Sequence, residues 1–358
     1  MNETFRHGGE IYDKNIALDY SVNLNPLGLP KSVKEALTAD LSYVLRYPDT
    51  ECRTLREGLS AKFGLPPEMI LCGNGASELF QLIVRAAAPK TALVEAPTFS
   101  GYEKALRDGG VIPGYYVLDK ENDFALTEDF LPALEKKPDM VFLCQPNNPV
   151  GNTIDRALLK KIAEKCRENK ILLVVDECFL ELVPGYEDLT VKPLIPGNPF
   201  LIVVSAFTKV YAMPGLRLGF LMTSNQELLG RMKDAQTEWS VSSAAQTAGA
   251  AALQEEAYVR EAIALIGKER ACLASELGRR GFRVYPGEAN YLMFEVTEPL
   301  RQKLPGEDLA DRLLEKGILI RKCSNYHGLD ESFFRIAVRS HEDNRCFIKK
   351  LDDVLCEV

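Results

Sequence analysis

Short, mostly apolar runs alternate with helix-period stretches over the first two thirds of the chain. The runs Thr91–Glu95, Ile112–Leu118, Asp139–Cys144, Ile171–Val175 and Phe200–Val204 read as strands buried on both faces, the pattern of a parallel sheet. Met69–Cys72 and Leu216–Thr223 read as further strands. The intervening polar stretches carry apolar residues at helical spacing. Pro30–Leu41 predicts a short amphipathic helix, and Thr50 is placed to cap a second one that runs to Phe63. Further helices are expected from the turn Gly73-Asn74-Gly75-Ala76-Ser77-Glu78 to about Ala88, up to Asp108, and over Gln226–Ala235 and Ser243–Leu253. Another, Asp155–Asn169, sets Leu158, Leu159, Ile162 and Cys166 in one stripe. A long helix, Glu256–Arg280, then marks a change of pattern. Beyond it, strands near Arg283–Tyr285, Tyr291–Val296, Ile318–Ile320 and Phe333–Val338 mix with helices near 307–316 and 342–355. The reading is an α/β chain: a large domain with a mostly parallel central sheet (46–255), a smaller α+β domain (256–358), and an N-terminal arm (1–45) that joins the small domain.

Composition narrows the function classes. At 358 residues and 46% hydrophobic content, the chain can bury a large core or two. A net charge of -8 argues against nucleic acid as a partner. No apolar run reaches the roughly 20 residues that span a bilayer. Met1–Glu10 carries no apolar signal-peptide core, and the nine cysteines contain no C-x-x-C pair. Free thiols in a reducing cytoplasm are therefore expected. The three histidines, His7, His327 and His341, have no metal-ligand spacing, so no metal site is expected.

Candidate chemistry collects where predicted strands end, the place at which open α/β sheets bind ligands. Lys209 follows the Phe200–Val204 strand; partial desolvation there lowers an amine's pKa and frees it to attack a carbonyl. Arg217 lies eight positions on, past a Pro214-Gly215 turn, and suits a phosphate through paired charge-assisted bonds. Gly75, Ala76 and Ser77 open a helix behind a glycine-rich turn, a ready anion site that is not a nucleotide loop. Asp176 and Glu177 end the Ile171–Val175 strand, and Asn148 sits in Gln145-Pro146-Asn147-Asn148-Pro149-Val150-Gly151. In the arm, His7-Gly8-Gly9 combines a hydrogen-bonding ring with glycines that admit close backbone approach.

Taken in order, these motifs resemble those of the fold-type I pyridoxal-phosphate (PLP) enzymes, class I/II aminotransferase-like, over essentially the whole chain. The resemblance implies that PLP is the cofactor and that Lys209 joins it covalently. It implies that Asp176 pairs with the ring nitrogen, Asn148 donates to the phenolate oxygen and Phe99 stacks on the ring. Gly75, Ala76, Ser77 and Arg217 would hold the phosphate, and Tyr47 would be lent to the neighbouring phosphate across a homodimer. Arg335, in Phe-Phe-Arg-Ile-Ala-Val-Arg, matches the arginine that usually receives a substrate carboxylate. Two positions depart from close relatives. Phe179 stands where histidinol-phosphate aminotransferases carry tyrosine, and Ala206 where a hydroxyl residue usually touches phosphate. Thr208 or Ser205 would have to replace that contact.

The arm and tail narrow the resemblance. His7-Gly8-Gly9, Asn23-Leu24-Asn25-Pro26-Leu27-Gly28, Trp239-Ser240-Val241 and Arg321-Lys322-Cys323-Ser324-Asn325-Tyr326-His327-Gly328 are similar to the L-threonine O-3-phosphate decarboxylases. That branch implies a phosphorylated amino acid as substrate, bound by His7, Gly8, Gly9, Asn25, Asn148, Arg321 and Arg335. Its product would be (R)-1-amino-2-propanol O-2-phosphate, for the cobalamin nucleotide loop. The alternative is transamination of histidinol phosphate or another amino acid. A non-catalytic PLP-binding regulator is a third reading, and the absence of a basic patch argues against it.

Overall fold

The computed structural model describes residues 8–304 and 306–357. Its strands, in chain order, are β1 (Leu18–Asp19), β2 (Ile70–Gly73), β3 (Ala92–Ala96), β4 (Gly114–Val117), β5 (Met140–Cys144), β6 (Leu172–Asp176), β7 (Leu201–Ala206), β8 (Gly219–Met222), β9 (Phe282–Val284), β10 (Tyr291–Val296), β11 (Ile318–Leu319), β12 (Arg321–Lys322) and β13 (Phe333–Ala337). The apolar runs of the first part pair into a seven-stranded sheet, ordered β2-β8-β7-β6-β5-β3-β4. β8 alone runs against its neighbours β2 and β7. The other registers along β7-β6-β5-β3-β4 are parallel. The fold is thus the expected mostly parallel α/β arrangement.

Period-two alternation explains how such apolar strands serve two cores at once. Val141 and Leu143 face one core with Leu173 and Val175, beside the helices Arg53–Phe63 and Arg156–Asn169. Phe142 and Cys144 face the other with Val174, beside the helices Gly75–Ala87, Gly101–Asp108 and Gln226–Ala235. The stripe Leu158, Leu159, Ile162 and Cys166 is buried as the spacing predicted. All nine cysteines are free thiols.

The helix Glu256–Arg279 leads into a four-stranded antiparallel sheet, β12-β13-β10-β9. Phe294, Phe334, Phe347, Leu309 and Leu313 fill its core. The N-terminal arm enters this unit: β1 pairs in parallel with β11, and Tyr20 is fully buried in the same core.

Several boundaries differ from the sequence reading. Thr50 does not cap the second helix. The Asp49 carboxylate accepts from Glu51 N at 3.1 Å and from Arg53 N at 2.8 Å, so the helix begins at Arg53 after a left-handed Cys52 with φ 46°. Pro214–Leu216 forms a 3-10 turn that shortens the following strand to Gly219–Met222. The expected strand at 318–320 ends at Leu319, where it pairs with the arm, and a separate strand, Arg321–Lys322, pairs with β13. The 3-10 segment Glu128–Lys136, with Pro132 inside it, carries no clear helical signature and was not expected.

Glu177, which follows the last residue of β6, belongs to the frame. Its buried carboxylate accepts from Thr190 Oγ1 at 2.7 Å, Val191 N at 2.9 Å and Lys192 Nζ at 2.7 Å. Removing one partner of such a pair leaves a charge out of water. Lys192→Ala is expected to lower unfolding stability by about 3–5 kcal/mol, read from urea denaturation of the cofactor-free protein.

Candidate active site

A cavity of about 280 Å³ opens at the carboxyl ends of the central strands. β5 brings Cys144 and the following loop brings Asn148; β6 brings Asp176, and β7 leads to Ala206, Thr208 and Lys209. The loop is tied down by Asn147, which accepts from Thr98 Oγ1 at 2.8 Å and donates to Pro97 O at 2.9 Å. Tyr291 O–H adds a bond to Asn147 O at 3.1 Å. Asn148 is therefore delivered from a braced backbone.

Asp176 is 7% exposed, and burial raises its carboxyl above the ordinary range. Three hydrogen bonds oppose that rise: one from the Cys178 thiol, one from Tyr102 O–H to Oδ2 at 2.6 Å and one from Cys178 N–H to Oδ1 at 2.9 Å. Phe99 lies on the cavity wall, its ring against the backbone of Gly101, where any side chain would collide with it.

Lys209 projects from the one-turn helix Phe207–Val210 after β7. Its backbone is clamped by the arm: Asn25 N donates to Lys209 O at 3.1 Å and Asn25 Nδ2 to Val210 O at 2.8 Å. Burial, with the charges of Arg335 and Arg217, lowers the amine from 10.5 to about 8. A substantial fraction is therefore neutral near physiological pH, as attack on a carbonyl requires.

The anion seat lies at the start of the helix Gly75–Ala87. Its N-cap residue, Asn74, makes no side-chain capping bond, which leaves the first amides available to a ligand. Gly75 has φ +76°, and a Cβ there would stand 2.6 Å from Arg217 Nη2. Arg217 thus rests on the glycine turn at the cavity rim. Thr208 lines the cavity, whereas Ser205 turns its hydroxyl toward Glu177 O at 3.5 Å. Of the two hydroxyls left open by the sequence, Thr208 faces the site.

The opposite wall comes from the small domain and the arm. Arg335, on β13, donates through Nη2 to Ser21 O at 2.8 Å and through Nη1 to Asn148 Oδ1. Its Nε is buried with no hydrogen-bond partner among the described residues. Arg321 lies over the Tyr326 ring, 5.3 Å from the centroid, and donates to Asn325 Oδ1 at 2.7 Å. Gly8 also lines the cavity; its Cα abuts Ser21 so closely that any side chain would collide with that carbonyl. Among the lining residues, Lys209, Arg217, Arg321 and Arg335 are basic and Asp176 alone is acidic. The cavity is built for anions.

Gly8, Ala76, Ser77, Phe99, Asn148, Asp176, Thr208, Lys209, Arg217, Arg321 and Arg335 thus meet in one place, with Gly75 just behind Arg217. Three of the described sequence candidates stand apart. Asn25 is not a lining residue: its amide nitrogen is used on Val210 O and its oxygen accepts from Leu27 N at 3.0 Å, so it supports the lysine turn instead of a ligand. Gly9, at φ +92°, donates to Ser21 Oγ at 2.8 Å and is also off the wall. Tyr47 is 78% exposed and stacks on Trp239 at 4.3 Å, outside the cavity. His7 lies outside the described residues. The sequence reading missed Tyr102, Tyr326 and Ser21. Ser21 adjoins the arm motif, but the only signal for Tyr102 was its place three residues after Phe99, on one helical face.

A sequence profile described as aminotransferase class I and II matches residues 15–351. The chain is 37% identical to a threonine-phosphate decarboxylase of Salmonella typhimurium, over 98% of this chain and 96% of that protein. Among solved structures, a histidinol-phosphate aminotransferase from Clostridium acetobutylicum superposes with a TM-score of 0.88 at 30% identity, covering 95% of this chain and 100% of that one. An L-threonine-O-3-phosphate decarboxylase from Porphyromonas gingivalis gives 0.83 at 25% identity, covering 94% and 99%.

The lowered amine has a measurable consequence. Only its neutral form attacks an aldehyde, so covalent capture of added PLP, trapped with borohydride, is expected to accelerate with pH. The rate should level off above about pH 8, instead of climbing toward the ordinary 10.5.

Proposed function

The chain belongs to the aminotransferase class I and II family and is a PLP-dependent enzyme, and we propose that its reaction is the decarboxylation of L-threonine O-3-phosphate. The observation that carries this reading is the surplus of fixed positive charge: two arginines on the small-domain wall, in addition to the lysine and the arginine beside the glycine turn. A phosphoamino acid brings both a phosphate, which the two arginines can take together, and a carboxylate, which the positive surroundings of the cavity favour without a dedicated partner, whereas histidinol phosphate brings no carboxylate. The relative in Salmonella typhimurium supports the same choice. The product, an amino-alcohol phosphate, would serve the cobalamin nucleotide loop.

The cofactor fits the residues present. The uncapped helix start, Thr208 and Arg217 offer donors for its phosphate, Asp176 a carboxylate for its ring nitrogen, and Asn148 an amide for its phenolate oxygen. Arg335 occupies Asn148 Oδ1, which leaves the amide nitrogen as the donating end. When bound, the protonated ring supplies an electron sink for the bond that breaks at Cα. Phe99 offers an aromatic face for that ring.

Reaction choice then rests on orientation. The Cα bond that breaks is the one held perpendicular to the ring plane. Arg321, Arg335 and the arm around Gly8, with His7 before it, would take the substrate phosphate. The carboxylate would then be free to stand perpendicular to the ring, where Cα–H stands in a transaminase. Carbon dioxide leaves without the bonding pair, and Lys209 Nζ returns a proton to Cα. No second base is required.

A homodimer accompanies this proposal. Leu41, Val44, Leu45 and Tyr47 form an exposed apolar run in a chain whose large side chains are otherwise mostly buried. A second copy would cover it and bring Tyr47 toward the neighbouring site. The protein is expected to sediment as a dimer, and Leu45→Glu, at an 83% exposed position, is expected to shift it toward monomer.

The decisive assay is carbon dioxide release from L-threonine O-3-phosphate by the PLP-loaded enzyme, with no oxo acid present. Stoichiometric release is expected, and Lys209→Ala should abolish it. No release, with turnover of histidinol phosphate once 2-oxoglutarate is added, would make the enzyme a transaminase.

A further inference from the structure

The Tyr102–Asp176 contact is the strongest polar feature of the site that none of the roles above uses. Tyr102 is fully buried, and its hydroxyl donates to Asp176 Oδ2 at 2.6 Å. The other carboxylate oxygen accepts from Cys178 N–H at 2.9 Å. The two donors come from different elements, the helix Gly101–Asp108 and the turn after β6, so together they fix the plane of the carboxylate. The tyrosine ring is itself immobilised. It stacks on Phe142 at 5.1 Å and 11°, and meets the Phe80 and Phe99 rings edge-on at 5.0 Å and 5.5 Å.

We propose that Tyr102 is a positioning residue that aims the Asp176 carboxylate at the ring nitrogen of the bound cofactor and holds its negative charge there. The inference rests on the assignment of Asp176 to that nitrogen and is independent of which Cα bond the enzyme breaks.

The need for such a donor follows from the surroundings. Cys144 from β5, Tyr291 from β10, and Glu177 and Cys178 from its own exit face Asp176. None of these is a cation, and no lysine or arginine among the described residues forms a salt bridge with it. Burial favours the neutral acid, which cannot balance a protonated ring nitrogen. Burial also pushes the Tyr102 phenol far above its usual range, so it remains an O–H donor under working conditions. The hydroxyl's single proton goes to Asp176, a directed charge-assisted bond.

The test compares PLP affinity across pH in the wild type and in Tyr102→Phe, which keeps the ring contacts and loses the hydroxyl. A lost donor makes the carboxylate easier to protonate. The acid limb, where affinity falls, is therefore expected to move up by about one to two pH units, with affinity within a few-fold of wild type above the limb. Incorporating 3-fluorotyrosine at position 102, a better donor of nearly the same shape, should move the limb down, and it provides the reading if the phenylalanine variant does not fold. Weakening by one factor at every pH, with no displacement of the limb in either variant, would reduce Tyr102 to packing and overturn the proposal. Asp176→Asn is the control. It should abolish the acid limb; a limb unchanged in that variant would overturn the Asp176 assignment itself.

Discussion

Four cationic side chains share one cavity with a single carboxylate, and the rest of the site is arranged around that imbalance. Arg321 and Arg335 are buried, Lys209 is partly buried and Arg217 is exposed, and like charges away from water repel unless something of opposite sign joins them. The protein separates them structurally: Arg335 is tethered to the Ser21 carbonyl and to Asn148, Arg321 lies over Tyr326, and Arg217 sits on the far rim against Gly75. Lys209 relieves the crowding by giving up its proton readily. The Arg335 Nε, buried without a hydrogen-bond partner among the described residues, adds one more donor to a cavity rich in positive charge.

Much of this was legible in the chain. Apolar runs with period-two alternation identified the central sheet, because strands buried on both faces leave little freedom of composition. Lys209, Asp176, Asn148 and Arg217 were readable because each follows a strand or turn whose position in the parallel sheet is strongly constrained. What escaped depends on contacts between distant elements. Tyr102 reaches Asp176 across 74 residues of sequence, and its place three residues after Phe99 does not by itself set it apart from an ordinary core aromatic. Asn25 shows the opposite case. Its motif suggested a ligand, and in the fold its side chain bonds to Val210 O and Leu27 N, off the cavity wall. Thr50 lost the helix cap to Asp49 for a local reason, since a carboxylate one residue earlier reaches both Glu51 N and Arg53 N.

The same architecture superposes on histidinol-phosphate aminotransferase and threonine-phosphate decarboxylase structures alike. The fold is therefore common property and cannot by itself separate the two reactions. Across the cavity from the strand ends that carry Asn148, Asp176 and Lys209 stands the wall made by the arm, β12 and β13.

The arm also bears on how the protein comes into being. β1 pairs with β11, Tyr20 O accepts from Ala337 N, and Ser21 O accepts from Arg335 Nη2 across 314 residues. On a ribosome, the arm emerges well before its partners, with 314 residues between Ser21 and Arg335. The seven-stranded sheet can form before β11, β12 and β13 are made, but the wall that those strands build with the arm cannot. Through that interval the arm has no partner strand, and the cavity lacks that side.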